Sequence, residues 1–327
     1  MPDISTNYMG LTLRSPIIAS SSSLTGSLEN IKALAENGVG AVVLKSVFEE
    51  EIILEMEKKM QKMLSQNFIY PETMEFYSKE DVDDILSSYL KLISDCKKET
   101  DIPIIASVNC VTADNWTHYA KSIQDAGADG IEINVFSVPS PDGEDKGNEK
   151  IYLDILKAVK KEVSIPVAVK IGKYFANIPR VIRELSENGA DAVVLFNRFF
   201  SPDIDVEKMT LVTSNVYSDP SEYMLPLRWV ALSSGKVDAD LSATTGIHDG
   251  KTVVKLLLAG AQTVQIATVL YQKGFEYLNE MTFELEEWMQ KKDYDMLEDF
   301  RGKLDQSKVS NPASYLRFQF MKHISEN

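Results

Sequence analysis

The sequence predicts a closed (β/α)8 barrel, the TIM-barrel architecture, with long insertions on the face where its strands end. Three observations carry that reading. Eight short and almost continuously apolar runs recur along the chain, helical periodicity fills the gaps between them, and one glycine-bearing junction returns four times just ahead of a run. Runs that are apolar on successive positions suit parallel strands covered on both faces.

The runs are Pro16–Ser20, Ala41–Lys45, Pro103–Ser107, Gly130–Asn134, Pro166–Lys170, Ala192–Phe196, Ala239–Ala243 and Thr263–Ala267. Between the first two, Ile31, Leu34 and Ala35 share a helical face. Val82, Ile85, Leu86, Tyr89, Leu92 and Ile93 form another ahead of the third run, and Val253, Val254, Leu257 and Leu258 one ahead of the eighth. The repeated junction reads Asn37-Gly38-Val39-Gly40, Ala126-Gly127-Ala128-Asp129, Asn188-Gly189-Ala190-Asp191 and Ala259-Gly260-Ala261-Gln262. Each puts glycine where a helix should end in a left-handed residue. A doubly wound open sheet also alternates strand and helix, but it ordinarily carries a Gly-x-Gly-x-x-Gly turn after its first strand. The turn here, Ser20 through Gly26, has none, so one barrel domain over residues 1–327 is the expectation. Segments 47–77, 138–149 and 198–225 follow strands and exceed ordinary connections, as barrel lids and substrate loops do.

A formal charge of −15 repels phosphate backbones and argues against nucleic-acid binding. Two cysteines, Cys96 and Cys110, without a Cys-x-x-Cys pattern suit a reducing compartment. No secretion signal or membrane-length apolar run is visible, so a cytoplasmic protein is expected. His118, His248 and His323 have no partner at metal-ligand spacing, and the clusters Glu49–Glu51 and Glu284–Glu287 are read as solvated faces.

In a barrel the polar residues at strand ends face the site. Here they are Ser20/Ser21, Lys45/Ser46, Ser107/Asn109, Asn134, Lys170, Asn197, Thr244/Thr245/Gly246 and Ala267/Thr268. One lysine ending an apolar strand is as well explained by reaching out to solvent; two, among several amides, favour a polar ligand. The small residues closing the last two strands let backbone N–H groups approach a phosphate, or simply ease packing, and a helix opens near Lys251 and Thr252.

These stretches resemble the class 1 dihydroorotate dehydrogenases. The resemblance lies in Pro16-Ile-Ile-Ala-Ser-Ser-Ser through Lys45-Ser46, in Glu132-Ile-Asn-Val-Phe-Ser137, in Val167-Ala-Val-Lys170, in Phe196-Asn197, and in Thr244-Thr-Gly-Ile followed by Val264-Gln-Ile-Ala-Thr268. It covers nearly the whole chain with the motifs in order. It implies bound FMN, with Lys170 at the flavin's pyrimidine edge, where a cation stabilises the reduced ring. Ser20, Ser21, Ser46 and Ser107 would line the ring system, and Lys45 would serve both flavin and substrate. Asn134 and Asn197 would hydrogen-bond the substrate or flavin, and Thr245, Gly246, Ala267 and Thr268 would hold the phosphate. The implied reaction oxidises dihydroorotate to orotate in pyrimidine biosynthesis, with a soluble acceptor such as fumarate and a homodimeric protein. The loop base, usually cysteine, is matched by Ser137, with a loop hydroxyl that has no catalytic duty as the alternative reading of that residue.

The departures concentrate on substrate contacts. Val138 and Pro139 replace the loop's proline and asparagine, and Arg198 replaces a serine. Ala19 and Ser22 stand for an asparagine and a glycine, and Gly-Thr-Gly-Gly becomes Ala-Thr-Thr-Gly over 243–246. Arg198 could grip a substrate carboxylate or pair with Asp203 or Asp205. Cys110 is read as an inert buried thiol or as a second candidate base. Another dihydropyrimidine or an enoate is the alternative substrate class, and a barrel that binds FMN or another phosphorylated ligand without turnover is the alternative function.

Overall fold

A computed structural model describes residues 2–51, 54, 84–109, 113–135, 148–199, 201–214 and 216–316. A two-stranded hairpin, β1 (Thr6–Tyr8) and β2 (Leu11–Leu13), precedes the first barrel strand β3 (Ile17–Ala19). Helix α1 (Leu28–Glu36), β4 (Ala41–Val43) and the short β5 (Val47–Phe48) follow. Next come α2 (Asp84–Glu99), β6 (Ile104–Asn109), α3 (Ala113–Asp125), β7 (Gly130–Asn134) and α4 (Asn148–Glu162). The chain continues with β8 (Val167–Ile171), α5 (Ile178–Glu187), β9 (Ala192–Leu195) and a second hairpin, β10 (Ser201–Asp205) and β11 (Thr210–Ser214). Helix α6 (Met224–Ser233), β12 (Asp240–Thr244), α7 (Gly250–Ala259), β13 (Thr263–Ile266), α8 (Thr268–Lys273) and α9 (Tyr277–Lys291) complete the order.

Strands β3, β4, β6, β7, β8, β9, β12 and β13 pair in parallel, and β13 returns to β3, so the sheet closes into an eight-stranded barrel. All eight fall on the expected runs. The four junction glycines, Gly38, Gly127, Gly189 and Gly260, have φ of +84°, +97°, +92° and +109°, the left-handed geometry that their repeat predicts. Strand alternation divides the apolar residues into two cores. Ile131, Ile133, Val167, Val169, Val193 and Val264 point outward to the helices, while Ile18, Val43, Ile105, Ala168 and Val194 fill the barrel axis.

The floor of the axis is closed by the first hairpin, which the sequence reading passed over because its strands are three residues long. Its Met9-Gly10 turn has positive φ at both positions, the geometry of a tight hairpin. Tyr8, Met9 and Leu13 pack on the axial core, and the Met9 N–H donates to Asp240 Oδ2 at 2.7 Å. The second hairpin stands on the opposite face, within the expected insertion 198–225, and leaves Ile204, Met209 and Leu211 62%, 86% and 76% exposed. Most of segments 47–77 and 138–149 lies outside the described residues. One expectation is corrected: Glu49 is buried rather than solvated, because Val47–Phe48 add onto β6 and carry the next residue inward. Among the described residues no helix is long and apolar enough to cross a membrane.

The floor contact is testable. Burial holds the Asp240 carboxyl above its usual range. Asp240→Asn keeps an acceptor for the Met9 N–H and is expected within about 1 kcal/mol of the parent at pH 7, whereas Asp240→Ala should lose about 1–3 kcal/mol. A raised carboxyl pKa favours the protonated folded state, so urea titrations should show the parent gaining on Asp240→Asn as pH falls through that range.

Candidate functional site

The strand ends enclose a cavity of about 450 Å³, bounded by β3, β8, β9, β12 and β13 and by the root of the β10–β11 hairpin. That volume lies within the 300–1,000 Å³ common to small-molecule sites. Ser20 and Lys170 form its wall on the barrel axis, and Gln265 lies beside them.

Below that wall lies a buried polar network. Lys170 Nζ has three acceptors: Ser20 Oγ at 3.3 Å, Glu132 Oε1 at 3.3 Å and Gln265 Oε1 at 3.4 Å. All three exceed the usual length of an N–H···O bond, about 2.9–3.0 Å. Glu132 is held more tightly, because Gln265 Nε2 donates to its Oε2 at 2.7 Å. The Lys170 and Glu132 side chains are 7% and 1% exposed, so each is the other's counter-charge in a region where an unpaired ion is costly. Beneath them, burial and the charge of Glu132 drive the Tyr8 phenol well above its ordinary pKa, so it stays protonated.

The other end of the cavity is a set of donors. Thr245 and Gly246 follow β12 with φ of +83° and +73°. Among the described residues their amide N–H groups donate to no protein acceptor. A Cβ on Gly246 would fall 2.3 Å from the Tyr223 nitrogen, so only glycine fits there. Thr245 takes a left-handed conformation costly for a branched side chain, at the position where the resembling family has glycine. Thr268 Oγ1 accepts from the Ser218 N–H at 3.1 Å and from Ser218 Oγ at 3.1 Å, and Ser218 Oγ lies 3.2 Å from His248 Nε2. With the Ser218 proton given to Thr268, His248 is the donor in its contact, and the Thr268 hydroxyl proton is left to point at a ligand. Burial holds the His248 pKa below the usual histidine range, which keeps the ring neutral near pH 7. Helix α7 does not add its N-terminus to this set, because Asp249 caps the Thr252 N–H and Glu284 accepts from the Gly250 N–H.

The remaining expected residues separate. Ser21 lines the cavity and bonds to Ser46, and Ser46 bonds to the buried Ser107 at 2.7 Å. Tyr89 braces Ser107 from behind by accepting from its N–H at 2.8 Å. Asn197 donates to Asn134 Oδ1, so the two amides act as a pair. Ala267 lines the cavity next to Thr268. Lys45 lies elsewhere: it is exposed and lines a second hollow with Glu51, Tyr89 and Asp95, beyond the Ser21–Ser46 contact. Arg198 pairs with Glu222 through two bonds of 3.0 and 3.2 Å and also donates to the Val216 and Tyr217 carbonyls. The expected partners are corrected by this: Asp203 and Asp205 sit on the exposed hairpin, where Asp205 is engaged by its own turn and by Lys208. Ser137, Val138, Pro139, Cys110 and His323 lie outside the described residues. Cys96 is buried in the outer core, its thiol pushed up by burial to about 11. Among the described residues no cluster could hold a metal ion.

Sequence reasoning missed Glu132, Gln265 and Ser218 as site residues. For the first two a signal existed, since each lies two positions before a strand-end residue, Asn134 or Ala267, and so one layer deeper on the same interior face.

The family model described as dihydroorotate dehydrogenase matches residues 3–289. The catalytic subunit of dihydroorotate dehydrogenase B (NAD(+)) from Thermoplasma volcanium is 27% identical over 92% of this chain and 98% of its own. The Saccharolobus solfataricus protein of that name is 30% identical over 58% of this chain and 66% of its own. The Escherichia coli NAD-dependent dihydropyrimidine dehydrogenase subunit PreA is 25% identical over 92% of this chain and 76% of its own.

Three expectations follow from the geometry. Lys170→Met should cost about 3–5 kcal/mol in chemical denaturation by stranding the Glu132 carboxylate, and most of that loss should return when Glu132→Gln is added. Thr245→Gly should raise stability by about 1 kcal/mol through relief of the left-handed threonine. In the same assay Gly246→Ala should lower stability by more than about 1 kcal/mol, since the backbone of Tyr223 occupies the space its methyl needs.

Proposed function

The chain belongs to the dihydroorotate dehydrogenase family, and from that premise we propose that it is an FMN-dependent dehydrogenase that oxidises dihydroorotate to orotate in pyrimidine biosynthesis. The observation that carries the proposal is one cavity lined both by a buried lysine and by a set of free donors, Thr245, Gly246 and Thr268. A flavin mononucleotide has matching ends, a ring that gains negative charge on reduction and a phosphate. The Ser22 hydroxyl, buried at the cavity without a partner among the described residues, is a further polar group that such a ligand would satisfy.

In this proposal Thr245, Gly246, Ala267 and Thr268 hold the phosphate, and His248 orients Ser218 and through it Thr268. Ser20, Ser21, Ser46 and Ser107 line the ring system, and Lys170 presents its ammonium to the pyrimidine edge. FMN, when bound, supplies the hydride acceptor. The Asn134–Asn197 pair orients the substrate ring, and Ser137 is assigned the proton that leaves the adjacent carbon. Lys45 serves the substrate from the second hollow. Arg198 braces the root of the β10–β11 hairpin, since a substrate carboxylate would have to displace Glu222 to reach it.

That occupied arginine favours a second reading, a dihydropyrimidine without a carboxylate, consistent with the name of the E. coli relative. For the electron acceptor, the names of the relatives speak of NAD(+) and of catalytic subunits, while this chain has no Gly-x-Gly-x-x-Gly turn for a dinucleotide. We therefore assign the acceptor side to an NAD(+)-linked partner subunit in preference to fumarate, with the catalytic chain itself a cytoplasmic homodimer.

Anaerobic mixing of the flavin-loaded protein with dihydroorotate should bleach the oxidised-flavin band. Bleaching by dihydrouracil but not dihydroorotate would select the second reading, and reoxidation by fumarate alone would return the acceptor to a soluble molecule.

A further inference from the structure

With the flavin held against Lys170 as proposed above, on which this depends, we propose that Glu132 and Gln265 are positioning residues that set how much positive charge Lys170 presents to the ring, and hence the flavin's reduction potential. The network is asymmetric. The Gln265–Glu132 bond is 2.7 Å, whereas the ammonium is shared among three acceptors at 3.3–3.4 Å. The carboxylate is therefore fixed and the lysine retains play. A ligand acceptor at an ordinary charge-assisted distance, about 2.7–2.9 Å, outcompetes Ser20 or Gln265 for one N–H. Glu132 remains the counter-charge on the side away from the cavity, 1% exposed and absent from the cavity lining. The ring then meets a partly neutralised cation rather than a bare one.

The direction of the effect follows from charge. Reduction adds negative charge to the ring, which a cation favours and a nearby carboxylate opposes. Removing the Glu132 charge should raise the potential, whereas a carboxyl at 265, in place of the amide 2.7 Å from a Glu132 oxygen, keeps a proton and should barely move it. The two changed groups are neighbours in one network, so a shift confined to Glu132→Gln would not arise from loosened packing.

The test is the midpoint potential of the bound flavin, measured by anaerobic reductive titration of purified holoprotein. Glu132→Gln should shift the oxidised/reduced equilibrium at least tenfold toward the reduced form, about 30 mV for a two-electron couple. Gln265→Glu should leave it within about threefold of the parent, because the proton shared with the neighbouring Glu132 keeps the net charge unchanged. In a Lys170→Gln background, Glu132→Gln should have less than a threefold effect, because a buried Glu132 without its counter-charge takes up a proton and leaves no charge to remove. A flavin-loaded Glu132→Gln protein with an unmoved or lowered potential overturns the proposal, as does an equal shift in the Lys170→Gln background. Should Gln265→Glu fail to fold, the comparison of Glu132→Gln in the two backgrounds decides alone. A wild-type protein that binds no flavin would instead overturn the cofactor assignment, an outcome visible before any potential is measured.

Discussion

A closed ring of eight strands has an inside, and every second side chain must go there. The lower layers of this axis are filled with Ile18, Val43, Ile105, Ala168 and Val194, beneath which Tyr8, Met9 and Leu13 form the floor. Ions placed above that filling cannot escape sideways to water. Lys170 and Glu132 are stable there because each compensates the other and Gln265 supplies the remaining bond. The cavity wall, the Ser20 contact and the orientation of the strand ends all take their places around that pair.

The two ends of the cavity use different physics. At the axis, charge is concentrated on one buried side chain whose neighbours limit it. At the rim, no positive side chain contributes to the donor set described, and the work falls to left-handed backbone at Thr245 and Gly246 and to a relay from His248 through Ser218 to Thr268. Backbone donors carry no rotamer entropy, which suits a group held permanently. Arg198 spans neither end. Its bonds to Glu222 and to the Val216 and Tyr217 carbonyls fasten the hairpin root to the cavity edge, and a lysine could not match that forked geometry.

The barrel was legible because its signals are local and repeated: eight apolar runs and four glycine junctions each reflect one strand or one helix end. Strand-end residues such as Ser20, Lys170, Asn197 and Thr268 could be read the same way. Glu132 and Gln265 were hidden by the habit of reading only the last polar residue of a strand, although period-two alternation places them on the same face one layer down. Arg198 was misdirected toward Asp203 and Asp205 because nearness in sequence ignores the hairpin that carries those residues outward, while Glu222 returns from the next turn. Lys45 shows the opposite limit. A strand-end position predicts the face of the barrel but not which of two neighbouring hollows a long side chain enters.

The floor hairpin ties the beginning of the chain to strands made last. Met9 meets an acceptor 231 residues away, and β3 finds one of its two neighbours only in β13. At ribosomal rates of about 5–20 residues per second, the first strand waits roughly ten seconds to a minute for the partner that closes the ring. Throughout that interval an apolar strand edge stands open, and loop closure of this span is entropically slow. A half-made chain therefore has no half-sized native state to rest in, and the burden on cellular folding assistance is set by the barrel's seam rather than by the chemistry at its mouth.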